Sequence, residues 1–213
     1  MSLNITQNYF GQTYNKNSKQ YQAAAKDFLS LHRQEVAAMS PEQKMMYELL
    51  GGEKAYMKNV MQNYNSDGDF TAGGIVVPGM YHGMDGSTDR STWQQIIPVS
   101  EDARQMMFDN VKKEFIRENG ISNGNTTKRS EVFRQYQLSV KKENRAKGTW
   151  TLQQYEGNYR SALYHAVKAA DPNWEAGQPF NAAILDNITR EDIEKNLVQS
   201  GNRLVQKSIN CYA

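Results

Sequence analysis

The sequence contains a single cysteine, Cys211, among 213 residues, which excludes a disulfide framework. No stretch approaches the roughly 18 consecutive apolar residues of a spanning helix, so membrane insertion is not expected. Histidine is scarce: His32, His82 and His165 are the only three. The chain has no HExxH pair, no GxSxG elbow, no GxxxxGK(S/T) loop and no GxGxxG after a strand. The metalloprotease, serine-hydrolase and phosphate-loop chemistries that need those spacings are therefore not indicated. A strong charge of one sign is also missing. Lys and Arg total 25 against 23 Asp and Glu, a net +2 that calls for no nucleic acid partner.

What is present is polar and aromatic. The chain holds 19 Asn and 17 Gln, with 7 Phe, 12 Tyr and 3 Trp, enough large rings to build a core. No acidic residue precedes Asp27, and Asn, Gln, Ser and Thr dominate the first 20 positions. That stretch has little apolar surface to offset ordering, and residues 1–19 read as a mobile arm. It lacks the basic and apolar regions of a secretory signal. Export substrates of type III and flagellar systems begin this way, as do ordinary tails. Two locations stay open: the cytoplasm, or export without a classical signal peptide.

Periodicity predicts mostly helix. Ala25, Phe28, Leu29, His32, Val36 and Met39 mark one stripe of a helix over about 20–39. Ser40-Pro41-Glu42-Gln43 is a start signal for a second helix carrying Met45, Met46, Leu49 and Leu50, which Gly51-Gly52 should stop. A third covers about 54–62. Between Gly68 and Gly86 lie six of the fifteen glycines. The β-prone runs Gly74–Val77 and Trp93–Ile97 flank this loop and are expected to pair as a hairpin. Helices are expected again from Ser100 to Asn119, from Ser130 to Ala146 and from a Thr151 cap to Ala170, with a last helix opening at Thr189 and carrying Ile193, Leu197 and Val198. The fold class is mainly α, a helical bundle with a small β-hairpin excursion around 74–97, with α+β as the alternative. The expected division is an arm at 1–19, helices over 20–64, the glycine-rich segment over 65–99 and a bundle over 100–213.

Few residues suggest chemistry. Asn63, Asn65, Asp67 and Asp69 match the front of a calcium loop, with Gly68 at its sixth position. The closing glutamate is missing, since position 12 is Gly74, and an Asx-rich turn explains the pattern better than a metal site. His82 with Asp85 could form a base and its orienting carboxylate, the core of a small hydrolase-like enzyme. Nothing nearby completes such a site, so no catalytic residue, metal or cofactor is assigned. Lys128, Arg129, Arg134, Lys141 and Lys142 lie in a segment, 112–147, with ten bases and four acids. This is the basis of a nucleic-acid reading, but four glutamates interrupt the charge and a solvated helix face accounts for it better. Met80, Tyr81, Met84 and Trp93 offer adaptable apolar groups of the kind used at interfaces. A non-enzymatic protein that binds another protein is the leading functional expectation, with export or association with a flagellum or cell surface as its setting.

Four segments carry a resemblance. They are Ile96-Ile97-Pro98-Val99-Ser100, Phe115-Ile116-Arg117-Glu118-Asn119-Gly120, Thr127-Lys128-Arg129-Ser130-Glu131-Val132-Phe133 and Ala169-Ala170-Asp171-Pro172-Asn173-Trp174. Together they resemble an uncharacterised family of bacterial proteins known mostly from gut and soil Firmicutes, over roughly residues 90–185. The family has no assigned activity, so the resemblance implies no functional residue.

Overall fold

The structure, a computed structural model, describes residues 5–7, 13–72, 74–76, 90–121 and 127–207. Its helices outweigh its strands, and it divides into two units, Met1–Asp89 and Arg90–Ala213. The fold is mainly α with small antiparallel hairpins.

In the first unit, strands β1 (Ile5–Gln7) and β2 (Thr13–Asn15) pair antiparallel, with Thr6 opposite Tyr14. Helix α1 (Lys19–Ala37) starts where the Ser18 side chain accepts the Tyr21 amide. Helices α2 (Pro41–Leu49) and α3 (Gly52–Met61) follow. The core is aromatic: Tyr14, Tyr21, Phe28, Met61 and Tyr64 are buried, with Tyr56, Val60 and Phe70 against them. The expected mobile arm over 1–19 does not account for residues 13–18. Tyr14 stacks on Tyr21 with centroids 5.6 Å apart. The Asn15 amide donates to Ser66 Oγ at 2.7 Å, and Ser18 Oγ donates to the Ser66 carbonyl at 2.5 Å. One ring with a partner ring fixes a segment whose average composition suggested none.

The hairpin pairs differently from the expectation. Strand β4 (Ile75–Val76) pairs with β3 (Thr71–Ala72), not with Trp93–Ile97. The latter segment follows a short 3-10 turn (Arg90–Thr92) and is not a strand. Its backbone is satisfied elsewhere, because the Ile97 amide donates to Thr151 Oγ1 at 3.0 Å. A side-chain acceptor removes the need for a ladder partner.

The second unit is built around α6 (Lys142–Ala170), a 29-residue helix against which α4 (Glu101–Arg117) and α5 (Thr127–Ser139) pack. Ser100 caps α4, as its sequence suggests, by accepting the Ala103 amide. Met107, Val111 and Phe115 of α4 and Leu152, Tyr159, Leu163 and Val167 of α6 are buried. Thr151 is not a cap: it sits inside α6, and the break falls earlier, at Val140 and Lys141. Gly148 lets α5 and α6 approach so closely that a Cβ there would overlap the Tyr136 hydroxyl and ring. The last helix, α7 (Arg190–Glu194), is short. Leu197 and Val198, expected on it, belong to β5 (Leu197–Ser200), which pairs with β6 (Arg203–Gln206) in a hairpin turning at Gly201. β-Branched Val198 faces Val205 across it, a pairing that suits a sheet better than a helix.

Candidate functional site

Helix α2 begins with a complete capping box. Gln43 donates its amide to Ser40 Oγ at 3.3 Å, and the Ser40 amide donates to Gln43 Oε1 at 2.8 Å. Pro41 opens the first turn, and Gly51, with φ of 98°, reverses the chain after Leu50. These local signals set where the helix starts and stops. No residue of α2 is buried, and Tyr47 alone is partly covered. Tyr47 reaches the buried His32, whose Nε2 lies 3.0 Å from its hydroxyl. His32 in turn stacks on Tyr56, with centroids 3.9 Å apart.

Anchoring through Tyr47 turns the rest of the helix outward. At 100° per residue, Met45, Met46, Leu49 and Leu50 span an arc of about 140° whose centre points well away from Tyr47. Their exposures are 63%, 57%, 74% and 76%. A bundle helix turns its apolar stripe into the core, and α2 departs from that. The missed signal is that Tyr47 is the one aromatic of the helix and lies off the Met/Leu arc, so the arc and the ring cannot both face inward.

The residues singled out from the sequence are scattered or engaged. Met80, Tyr81, His82, Met84, Asp85 and Cys211 lie outside the described residues. Trp93 is half-buried, edge-on to Trp150 with centroids 5.8 Å apart, and Trp150 Nε1 donates to the Asn202 carbonyl at 2.8 Å. Asn65 Oδ1 accepts the Asp67 amide at 3.0 Å and the Asp69 amide at 2.9 Å. Its carboxamide oxygen thus closes an Asx turn, while the Asn63 carbonyl accepts the Thr71 amide and hydroxyl. Among the basic residues, Arg129 forms a two-pronged pair with Glu156 and lies over the Phe133 ring. Arg134 is half-buried, and Lys141 and Lys142 are exposed. The side chain of Lys128 is outside the described residues. His165 is exposed on α6.

A second polar centre was not visible from the sequence. Arg190 of α7 has a side chain only 4% exposed. It donates from Nη1 to Glu194 at 2.8 Å, from Nη2 to Glu101 and Glu191 at 2.6 Å each, and from Nε to Gln105 at 3.0 Å. Glu194 also accepts from Arg104 and from the Tyr159 hydroxyl. Burial, then the Glu194 contact, push the Tyr159 phenol far above its ordinary value. Four of the five Arg190 N–H donors and both carboxylate oxygens of Glu194 are engaged within the cluster, which ties α7 to α4 and α6. The Arg190–Glu194 spacing of four was readable, but the long-range partners Glu101, Arg104 and Tyr159 were not.

A depression of about 240 Å³ lies nearby, lined by Ala162, Ile188, Asp192, Ile193, Asn196, Gln206 and Lys207. It is below the roughly 300–1,000 Å³ of typical ligand sites. Lys195 and Thr189 hold Asp192 there and keep its carboxyl below the usual range. Among the described residues no group of three His, Cys, Asp or Glu could hold a metal ion, and no helix is long and apolar enough to cross a membrane.

Among the described residues of this mainly α protein, the outward apolar face of α2 stands out. Residues 14–213 match the family described as a domain of unknown function, DUF3879, and the chain belongs to that family. No curated protein and no solved structure matches it.

Proposed function

We propose that this chain is a non-enzymatic protein-binding module whose docking surface is the outer face of α2. One observation carries the reading: four large apolar side chains, Met45, Met46 and Leu49 on α2 and Leu50 at its C-cap, stand 57–76% exposed, and α2 buries none of its residues. Monomers seldom display a contiguous apolar patch above roughly 300–600 Å², and the largest patch is often functional. Covering these groups, 57–76% exposed, is worth roughly 4–8 kcal/mol, taking about 1.5–3 kcal/mol per fully buried side chain and scaling by that exposure. Association itself costs about 4–15 kcal/mol, so a partner must bring a matching apolar face. The two methionines adapt their shape to such a partner, and the natural complement is an amphipathic helix.

The test is site-specific photo-cross-linking in the native host, with the reactive group placed at Leu49 and, as control, at exposed His165. Discrete adducts are expected from position 49 and not from 165. Equal or no labelling at the two sites rejects the docking surface. The acid-poor first 20 residues support export as a companion reading, checked by whether the chain is found in the culture medium and whether deleting residues 1–20 removes it.

A further inference from the structure

We infer that the occupant of the α2 face is the α2 face of a second copy of this chain, crossing it antiparallel about a twofold axis. The inference rests on the docking surface proposed above and names its partner.

The order Met45-Met46-Tyr47-Glu48-Leu49-Leu50 is symmetric in polarity about its midpoint. An antiparallel crossing centred there sets Met45 against Leu50 of the second copy and Met46 against Leu49. Every large side chain of the patch then meets an apolar one, and the same residues serve on both sides, as an isologous contact requires.

Charge selects this direction over the parallel one. Glu42 is exposed and lies one turn before Met45 and Met46, at the head of the same arc. Lys54 is exposed in the first turn of α3, and its neighbour Glu53 is neutralised by a two-pronged pair with Arg33. Antiparallel crossing brings the Glu42 end of one copy to the Lys54 end of the other, twice. Parallel crossing would set Glu42 on Glu42. The helix dipoles also favour the antiparallel arrangement. A net charge of only +2 leaves little repulsion between copies.

Size and shape agree. Four side chains fall short of the ~800 Å² each partner gives to a standard interface, so the predicted dimer is reversible and small. The patch is a convex ridge about one and a half turns long. That shape interdigitates with another helix ridge at one crossing.

Sedimentation velocity on the full chain, from about 1 to 300 µM, is the first measurement. A reversible monomer–dimer equilibrium with a midpoint in the micromolar range is expected. Leu49→Asp, whose side chain is three-quarters exposed and whose circular dichroism should match the parent, is expected to weaken it at least about 30-fold. Glu42→Lys should weaken it roughly 2–5-fold, and adding Lys54→Glu should restore it. In a Cys211→Ser background, an equimolar mixture of Met46→Cys and Leu49→Cys chains should form the mixed disulfide faster than either forms its own.

A wild-type chain that stays monomeric throughout this range overturns the twofold pairing. So does a dimer indifferent to Leu49→Asp. A dimer that prefers same-site disulfides overturns the antiparallel direction, as does failure of the charge swap to rescue. If the chain is monomeric yet Leu49 cross-links to a different protein, the partner assignment falls while the docking surface stands. If neither occurs, both fall.

Discussion

His32 and Tyr47 are joined across the two helices they belong to, imidazole Nε2 to phenol oxygen at 3.0 Å, and Tyr47 is the sole residue of α2 that is partly covered. The ring of His32 stacks on Tyr56, with Phe28 also stacked against it. Burial, with the nearby Glu53 and Glu48 carboxylates, raises the Tyr47 phenol above its ordinary value.

Tyr47→Phe keeps the ring and removes the hydroxyl. A hydrogen bond of this kind is worth about 0.5–1.5 kcal/mol, so amides of α2 should exchange roughly 2–12 times faster. Hydrogen exchange read by mass spectrometry on a peptide covering 41–50 measures this, with α6 as the internal standard. Unchanged exchange in α2 would show that Tyr47 is not its tether.

A second expectation concerns alkaline pH. The Tyr21 hydroxyl donates to the Met61 carbonyl at 3.2 Å, and burial, helped by Tyr14, pushes its pKa up to about 12. The folded chain holds this proton more tightly than the unfolded chain, where a tyrosine titrates near 10. The stability linked to Tyr21 is therefore complete below about pH 10 and is lost as pH rises towards about 12. Tyr21→Phe has no proton to lose. Its denaturant midpoint should fall less steeply than that of the parent between about pH 9 and 11.5. Parallel curves would refute the linkage. Tyr159, raised in the same direction, leaves the variant with a residual slope.

The contact of Gly148 with Tyr136 makes a third. Gly148→Ala places a methyl group where the Tyr136 hydroxyl and ring already lie, and Tyr136 is 3% exposed with little room to move. Helix propensity favours alanine by about 0.8–1 kcal/mol, but overpacking at a filled site costs about 1–3 kcal/mol and occasionally more. The steric effect should win, and the melting temperature should fall. Tyr136→Ala removes the obstruction, so in that background Gly148→Ala should be neutral or stabilising. A stabilised single variant would mean that the helices are not held this closely.

Elements whose causes lie within a few residues were legible in the sequence. The Ser40 capping box, the Ser100 cap, the Gly51 stop and the apolar stripes of α4 and α6 all depend on neighbours in the chain. The errors came where a distant group decides the outcome. Thr151 looks like a cap but is an interior residue that takes the Ile97 amide from 54 positions away. Tyr14 looks like part of a polar tail until Tyr21 and the Ser66 loop are beside it. The candidate site shows the same division. Met45, Met46, Leu49 and Leu50 were placed correctly on a helix, but which way they face is set by His32 on another helix. Periodicity gives the width of an apolar stripe and says nothing of whether a neighbour exists to cover it.

The placing of α6 after both of its main partners in the chain has a kinetic meaning. During translation α4 and α5 leave the ribosome first, while Met107, Val111, Phe115, Val132 and Phe133 still lack the surface that will cover them. At about 5–20 residues per second, the 29 residues of α6 take roughly 1.5–6 s to emerge. Through that interval the nascent bundle presents an oily, half-finished seam, and this is the moment at which chaperones would find it.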